Sequence, residues 1–596
     1  MDKKVNPFSL EVIRNPLVKW IIRAVSKINV LEACYDAWLQ KPGSNTKDIN
    51  AFLESCLDYM QAGWKLIDKE RLDSVPQEGP IVFVANHPLG ALEGLILTLE
   101  LRRIRSDLKV LTNEMLSQIP EFEDAFIGVD VLNPGKAQSN AKGMRAASRH
   151  IASGGALLVF PAGTVSGISL PSLKVSDAPW SPMITRMASR YESPVMPIFV
   201  GGTNSRLFYL SAYIHKRLRT LLLPRAMVQK IGTSIDVCIG DVIEARDLKR
   251  LSNDHIATQY VRLCCEVLGV NESRELGSSP INNHEEIRSN ACIRGVSSHI
   301  EQLDSHLLHQ QERFSIYCVP YEQMGIVMEQ LSIVREHTFR AVDEGTGKEL
   351  DSDRFDANYQ HLFLWDREKQ QIAGGYRIGK TDEIARNFGL DGLYSHSLFD
   401  YNQQLLDGLG KTIEVGRSFV SAEYQKDPVA LDLLWKGIGR FVAKNPKYHT
   451  LFGCVSISKQ YSNLARSMLT QTFLSHYGAA ASITSQVRAR DPIKFADTPW
   501  SAEQLSELCD IPIVNKLVGR IDAGKSIPTL IRHYLSLNGR FVSFTNNSGF
   551  NDALDGFILV DLRKTQSRYL KRYLGKQGMQ EFLQLHNEDA DLSAIA

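Results

Sequence analysis

The sequence predicts an α/β protein of two domains, and three observations lead there. Between residues 75 and 245, short apolar runs alternate with helical patterns, the mark of a largely parallel sheet with helices on its faces. Between about residues 270 and 312 the chain turns polar, through Asn271-Glu272-Ser273-Arg274 and Gly277 to His284, which reads as a boundary. From Ile413 a strand-helix-strand-helix order returns on a different plan, and no internal repeat is evident. The expected division is an α/β domain over 1–270, a polar linker over 271–312, an α+β domain over 313–575 and a tail over 576–596.

At 596 residues the chain is too long for one ordinary core, and 43% hydrophobic with 23% charged residues is the composition of a folded globular protein. A net charge of +1 provides no global field for nucleic acid, so no nucleic-acid partner is expected. The nine cysteines include no C-x-x-C pair, the histidines are dispersed and no phosphate-loop lysine motif appears. Reduced thiols, no metal and no bound cofactor are therefore expected, in a cytoplasmic protein without a secretory signal. No stretch reaches the ~18–20 apolar residues of a spanning helix. If the protein meets a membrane, it lies on it.

In chain order, residues 1 to about 70 read as helical, with Leu17, Trp20, Ile21, Ala24 and Val25 interleaved with Lys19, Arg23 and Lys27. Such a basic amphipathic face packs onto its own domain or lies at a lipid interface. Strands are expected at Ile81 to Ala85, Leu108 to Leu111, Phe126 to Leu132, Ala156 to Phe160, Val195 to Val200 and Ile235 to Ile239.

The first run breaks at Asn86-His87-Pro88-Leu89-Gly90 before a leucine-rich helix, which places His87 at a strand-to-helix turn, where α/β folds collect substrates. Glu93 follows six residues later. A carboxylate that fixes one imidazole nitrogen leaves the other free to take a proton from a hydroxyl. The fourth run ends in Phe160-Pro161-Ala162-Gly163-Thr164-Val165-Ser166-Gly167, a glycine-bearing turn that offers backbone N–H groups and hydroxyls. The fifth ends in Gly201-Gly202-Thr203-Asn204-Ser205. Between Thr203 and Lys230 lie Arg206, Lys216, Arg217, Arg219, Arg225 and Lys230 with no acid, among Leu207, Phe208, Tyr209, Leu210 and Tyr213. That mixture suits an anionic lipid surface, at about 1 kcal/mol per charge, or a solvated face over an apolar one.

Together these residues resemble the glycerophospholipid (PlsC-like) acyltransferase superfamily. The matching blocks are Asn86-His87 with Glu93, Phe126-Ile127-Gly128-Val129-Asp130, Phe160-Pro161-Ala162-Gly163-Thr164 and Val195-Met196-Pro197. The resemblance implies His87 and Glu93 as catalytic residues, and Phe160, Pro161, Gly163 and Thr164 as substrate-binding. Two departures stand out: Leu92 occupies the family's usual aspartate position, and Ala162 its usual glutamate. Both point away from a glycerol-phosphate substrate.

In the second half, Ile413 to Val420 alternates as a strand, and Asp427-Pro428 opens a helix through Leu431, Leu434, Trp435 and Ile438 to Asn445-Pro446. Leu451 to Ile457 is the next strand and Tyr461 to Tyr477 the next helix. This order is similar to a GNAT core, in which the strand and the following helix N-terminus bind the pyrophosphate-pantetheine arm of an acyl donor. Arg335 to Arg340, Asp356 with His361-Leu362-Phe363, Gly374-Gly375-Tyr376-Arg377 and Glu414-Val415-Gly416-Arg417-Ser418 resemble the hemolysin-like acyltransferases that make lyso-ornithine lipid, and more distantly the acyl-homoserine lactone synthases. Glu344-Gly345-Thr346-Gly347 and Val455-Ser456-Ile457-Ser458 belong to the same resemblance, which runs over roughly 313–575.

Both families take the acyl chain from acyl carrier protein. The two-domain order is similar to the bifunctional ornithine lipid synthases. The resemblance implies Glu414 as base or as the group aligning an ammonium, with Arg335, Arg377, Arg417 and Ser418 binding substrate. An ion pair between Glu414 and Arg417 remains the structural alternative. The basic segment Arg563 to Lys576 either caps its domain or docks acidic carrier protein or anionic lipid.

The expected function is N-acylation of ornithine by 3-hydroxyacyl-[acyl carrier protein], then O-acylation of the new lipid's 3-hydroxyl. It would take place on the inner face of the cytoplasmic membrane. A lysophospholipid acyltransferase with an accessory domain and a non-catalytic membrane or carrier-protein binding module are the rivals.

Overall fold

Ile81–Ala85 is buried at every residue and sits in the middle of a seven-stranded sheet. The structure, a computed structural model, describes residues 6–11, 13–41, 48–129, 137–168, 174–214, 216–270, 284–495, 498–508 and 510–593. The chain forms two units, Met1–Asn271 and Glu272–Ala596.

The strands of the first unit are β1 Gly63–Ile67, β2 Ile81–Ala85, β3 Lys109–Asn113, β4 Phe126–Val129, β5 Ala156–Val159, β6 Gly167–Ile168, β7 Val175–Ser176, β8 Val195–Val200 and β9 Ser234–Ile239. The main sheet runs β1-β9-β8-β2-β5-β3-β4, parallel except for β8 with β9. Strand β1 falls in the stretch read as helical. Its Gly63-Trp64-Lys65-Leu66-Ile67 has no period of its own, and pairing along the edge of β9 makes it a strand. The central strands β2, β5 and β8 are apolar on both faces, as a covered parallel sheet requires. Their register, with Val84 opposite both Val159 and Pro197, brings the His87 turn, the Phe160 turn and the Gly201 turn to one edge.

The second unit contains β10 Leu307–Gln311, β11 Phe314–Pro320, β12 Gln360–Asp366, β13 Gln371–Lys380, β14 Phe399–Asp400, β15 Thr412–Val420, β16 Thr450–Ile457, β17 Arg488–Ala489, β18 Arg540–Asn547 and β19 Ala553–Asp561. Eight of these form one sheet, β10-β11-β12-β13-β15-β16-β19-β18, in which only β15 and β16 are parallel. On one face Ile316, Leu362, Tyr376, Ile413 and Val415 pack with Leu434, Trp435 and Ile438 of the Pro428–Lys444 helix. On the other, Phe363, Trp365 and Phe419 pack with Val327 and Leu331 of the Ile326–Arg340 helix.

Two expected boundaries change. The polar linker over 271–312 is not a linker beyond residue 283: the Ile293–Ile300 helix buries Val296 and Ile300 against Val327 and Leu331, and β10 extends the sheet. Arg288 also pairs with Glu329 and Glu349. Three well-spaced apolar residues, Val296, Ile300 and Leu303, outweigh the polar composition around them. Residues 271–283 lie outside the described residues. Likewise the tail from 576 packs on the domain at least through His586, whose Nε2 bonds to the Pro446 carbonyl. The Ser567–Ser593 segment kinks at Gly575 (φ +84°), where Arg440 donates to the Leu574 carbonyl, and then buries Phe582 in the same core. Leu570, Tyr573 and Leu574 are buried too, so the basic segment before the kink caps the core with its apolar side.

Candidate active sites

In the first unit, Asn86 ends β2 by exchanging two hydrogen bonds with Val200: its Nδ2 donates to the carbonyl at 2.9 Å and its Oδ1 accepts from the amide at 2.7 Å. That clamp fixes where the turn begins. Gly90 then adopts φ +107°, a conformation side-chain-bearing residues avoid, and the chain enters the Leu92–Arg102 helix. The helix brings Glu93 back beneath the turn, where Oε1 accepts from His87 Nδ1 at 3.0 Å and from the Leu89 and Gly90 amides at 2.9 and 2.7 Å. Glu93 is fully buried. Burial alone would raise its pKa, but the His87 hydrogen bond and charge together with the Gly90 amide hold it below the usual carboxylate value. Among the described residues nothing hydrogen-bonds His87 Nε2, and the side chain is partly exposed. One nitrogen is fixed and the other is available, the arrangement of an imidazole general base.

Phe160 lies against the His87 ring, centroids 4.6 Å apart, and so orients it from the side. The Pro161 carbonyl accepts from the Ser181 amide, and Gly163 closes the turn onto the Phe160 carbonyl at φ +65°. Thr164 is half-buried next to it. The Asn204 side chain donates to the Pro88 and Leu89 carbonyls, so the Gly201 loop supports the backbone of the His87 turn. Sequence reasoning missed Asp177. Its Oδ1 accepts from the His87 amide at 3.2 Å and from the Ser166 hydroxyl, and its Oδ2 accepts from Trp180 Nε1 at 2.9 Å. No spacing marked it, because it comes from a loop 90 residues on. The Phe126-to-Asp130 block lies elsewhere: β4 is the far edge strand, beyond β5 and β3 from His87, and Asp130 lies outside the described residues.

In the second unit the site grows from an irregularity in β15. Gly375 pairs with Phe419 but Arg377 with Gly416, so Arg417 and Ser418 together oppose Tyr376 alone. This β-bulge, with Arg417 at φ +49°, turns the strand over. Glu414 and Arg417 thereby share a face with Arg377, whereas Ser418 lies beside the Tyr376 phenol in the opposite core.

On the shared face three guanidinium groups meet three carboxylates. Arg335 pairs with Asp351 at 3.2 Å and Asp356 at 3.0 Å, Arg377 with Asp353 at 2.7 Å and Asp356 at 3.3 Å, and Arg417 with Asp353 at 2.8 Å and Asp351 at 3.4 Å. Arg377 also lies over the Tyr359 and Tyr394 rings, and Arg417 over Phe550 and Tyr394. Burial would raise the Asp356 pKa, but Arg335 and Arg377 drive it well below the usual range. His361, buried beside them, is lowered to about 4.

Glu414 is 1% exposed. Tyr359 donates to its Oε2, the Ser395 amide donates to its Oε1 at 2.7 Å, and burial raises its pKa despite those bonds. No ion pair joins it to Arg417 among the described residues; in place of that structural alternative Arg417 bonds to Asp353 and Asp351.

Pairing between β15 and β16 stops at Glu414 opposite Phe452, and the two strands part beyond it. Gly453 stands at the vertex, where a Cβ would come within 2.0 Å of the Val415 carbonyl oxygen. The unpaired edges form a wedge whose backbone groups suit an extended amide-bearing chain. At the helix after β15, Asp427 already accepts from the Val429 amide, which places a negative charge where the expected pyrophosphate would sit.

The acyltransferase family matches residues 18–269, and the acetyltransferase (GNAT) domain family matches residues 334–436. The chain is 30% identical over 261 residues to a glycine N(alpha)-acyltransferase of Phocaeicola vulgatus, covering 41% of this chain and 79% of that protein. It is 27% identical over 270 residues to an L-ornithine N(alpha)-acyltransferase of Brucella abortus, covering 44% and 83%. It is 29% identical over 168 residues to a lyso-glycine lipid O-acyltransferase of Bacteroides thetaiotaomicron, covering 28% and 58%. The chain is therefore an acyl-transferring enzyme that joins a PlsC-like acyltransferase domain to a GNAT domain, and it belongs to the N(alpha)-acyltransferase family of these relatives.

Proposed function

We propose that the chain makes an amino-acid lipid by two acyl transfers. The second unit would join a 3-hydroxyacyl chain from acyl carrier protein to the α-amine of ornithine, and the first would esterify the 3-hydroxyl. The observation that supports this best is that one polypeptide carries an oriented imidazole at an open strand edge and a strand wedge beside an arginine-lined face.

In the first step Arg417 is the most exposed of the three clustered arginines, and its planar guanidinium matches the acceptor's carboxylate. The Asp427 carboxylate favours a donor that brings a single phosphodiester over one bearing a pyrophosphate, which supports acyl carrier protein. In the second step His87 Nε2 takes the proton of the 3-hydroxyl as that oxygen attacks the thioester carbonyl, and Glu93 stabilises the imidazolium. Ala162, in place of a carboxylate, suits a headgroup that carries its own carboxylate and amine.

Lipid acceptors imply a peripheral membrane position on the cytoplasmic face. Leu17 and Trp20 of the Pro16–Ser26 helix are 64% and 67% exposed, and Leu207, Leu210 and Tyr213 are exposed on the Arg206–Ile214 helix. Among the described residues no helix is long and apolar enough to cross a membrane.

The test is mass spectrometry of lipids from a bacterium without amino-acid lipids that expresses the chain. A new zwitterionic lipid is expected, stalled as its monoacyl form by His87→Ala and lost with Glu414→Ala. Well-expressed protein that yields no new lipid overturns the reading.

A further inference from the structure

Glu414 is 1% exposed and both its oxygens already accept hydrogen bonds, from Tyr359 and the Ser395 amide, which holds its carboxylate in place and away from the opening of the wedge. A different carboxyl lies at the wedge. Glu344, in the turn that follows the Ile326–Arg340 helix, is 8% exposed, and its Oε2 accepts from the Ser456 hydroxyl at 2.8 Å. Ser456 belongs to the part of β16 that no longer pairs with β15. Its alternation with Val455 and Ile457, which lie in the core with Ile413 and Val415, and the pairing of Glu414 with Phe452 place it on the same face as Glu414. Among the described residues nothing hydrogen-bonds Glu344 Oε1.

We propose that Glu344 is the proton acceptor of the N-acyl transfer, with Ser456 holding Oε2 so that Oε1 faces the amine in the wedge. The assignment rests on the two-step reading above. The acceptor arrives as an ammonium, and Oε1 takes one of its protons. The freed amine attacks the thioester carbonyl, forming the C–N bond. The C–S bond then breaks, the nitrogen gives up its second proton to the departing thiolate, and Glu344 returns its proton to solvent. The products are an amide, a thiol and one proton.

The charges around Glu344 suit this exchange. Burial pushes its carboxyl up to about 7; the Ser456 hydrogen bond opposes that, Asp555 of β19 adds to it, Arg466 of the Asn463–His476 helix opposes it and the neighbouring Asp343 adds to it. Tyr461 also feels the carboxylate. Asp555 itself, bonded to Asn547, is raised to about 6 by burial. A carboxyl that titrates near neutrality can accept a proton at cytoplasmic pH and return it.

The experiment uses the purified full chain with 3-hydroxyhexadecanoyl-loaded acyl carrier protein and ornithine, from pH 5.5 to 9, with N-acyl product followed by mass spectrometry. For the wild type, kcat is expected to rise with pH to a plateau, with a midpoint near the carboxyl's value of about 7. Glu344→Gln should lower kcat by roughly 10²-fold or more and flatten that rise, at an unchanged melting temperature or a higher one. Ser456→Ala, which removes a bond that favours the carboxylate, should move the midpoint to higher pH while retaining turnover. Glu344→Gln within twofold of wild type and with the same profile, or Ser456→Ala with an unmoved midpoint, overturns the assignment and leaves the two-step reading intact. Absence of N-acyl product from the wild type overturns both.

Discussion

Glu414 and Arg417 project from the same face of β15 although they are three positions apart, because the bulge at Arg417 and Ser418 sets two residues against Tyr376. In a regular strand an odd separation puts side chains on opposite faces. The irregularity therefore builds the arginine-lined face. Arg417→Lys keeps the charge but loses the planar fork and the stack on Phe550. The expected result is a KM for the amino acid raised about tenfold or more, with a smaller change in kcat, by steady-state N-acylation.

The His87 pair leads to a second prediction. His87→Ala should lower O-acylation of a synthetic lyso-lipid by roughly 10²- to 10⁴-fold without affecting N-acylation. Glu93→Gln should lower O-acylation through kcat rather than KM, because it removes the charge that stabilises the imidazolium.

The balanced cluster around Asp356 should be costly to unbalance. Asp356→Asn leaves Arg335 and Arg377 short of one carboxylate in a buried site, and a loss of about 3–5 kcal/mol in the second unit is expected by urea unfolding. The pH dependence has a sign. The Asp356 pKa is depressed on folding, so its contribution is complete above the unfolded carboxylate pKa of about 4 and fades as pH falls toward the folded value. His361, lowered to about 4 by burial, resists protonation in the folded state; stability falls as pH drops below the ordinary imidazole value.

Glu344 should behave the opposite way. Its folded pKa is raised, so its stabilising share is complete below the unfolded pKa and is lost as pH rises through about 7. Glu344→Gln is thus expected to stabilise the second unit at pH 8, by up to roughly 3 kcal/mol, and to make little difference at pH 4.5, measured by denaturant melts at both pH values.

The exposed apolar residues of the first unit carry the membrane reading. Trp20→Glu with Leu210→Glu should reduce co-sedimentation with vesicles containing anionic lipid, with N-acylation of free ornithine unchanged. Unchanged vesicle binding would remove these two helices from the lipid surface.

Much of this was legible because it is local. Five apolar residues ending at Asn86-His87-Pro88 make a buried strand and a turn in any parallel sheet, and Asp427-Pro428 starts a helix wherever it falls. The His87–Glu93 pair could be read since a turn and the start of one helix link the two residues. Edge pairing made β1 a strand and a few buried apolar residues drew 284–312 into the second unit, and neither leaves a period in the chain.

The sequence by itself determined the two-domain order, the strands and helices that carry the blocks, and the histidine with its carboxylate. Only the tertiary structure decided that Asp177 ties down the His87 turn, that a bulge re-aims Arg417, that Glu414 is enclosed, and that Glu344 reaches Ser456 across 112 residues of chain. The reason is physical. Local propensity and periodicity depend on neighbours in sequence, whereas burial, hydrogen-bond occupancy and the pKa values they set depend on groups that meet only when the sheet closes around them.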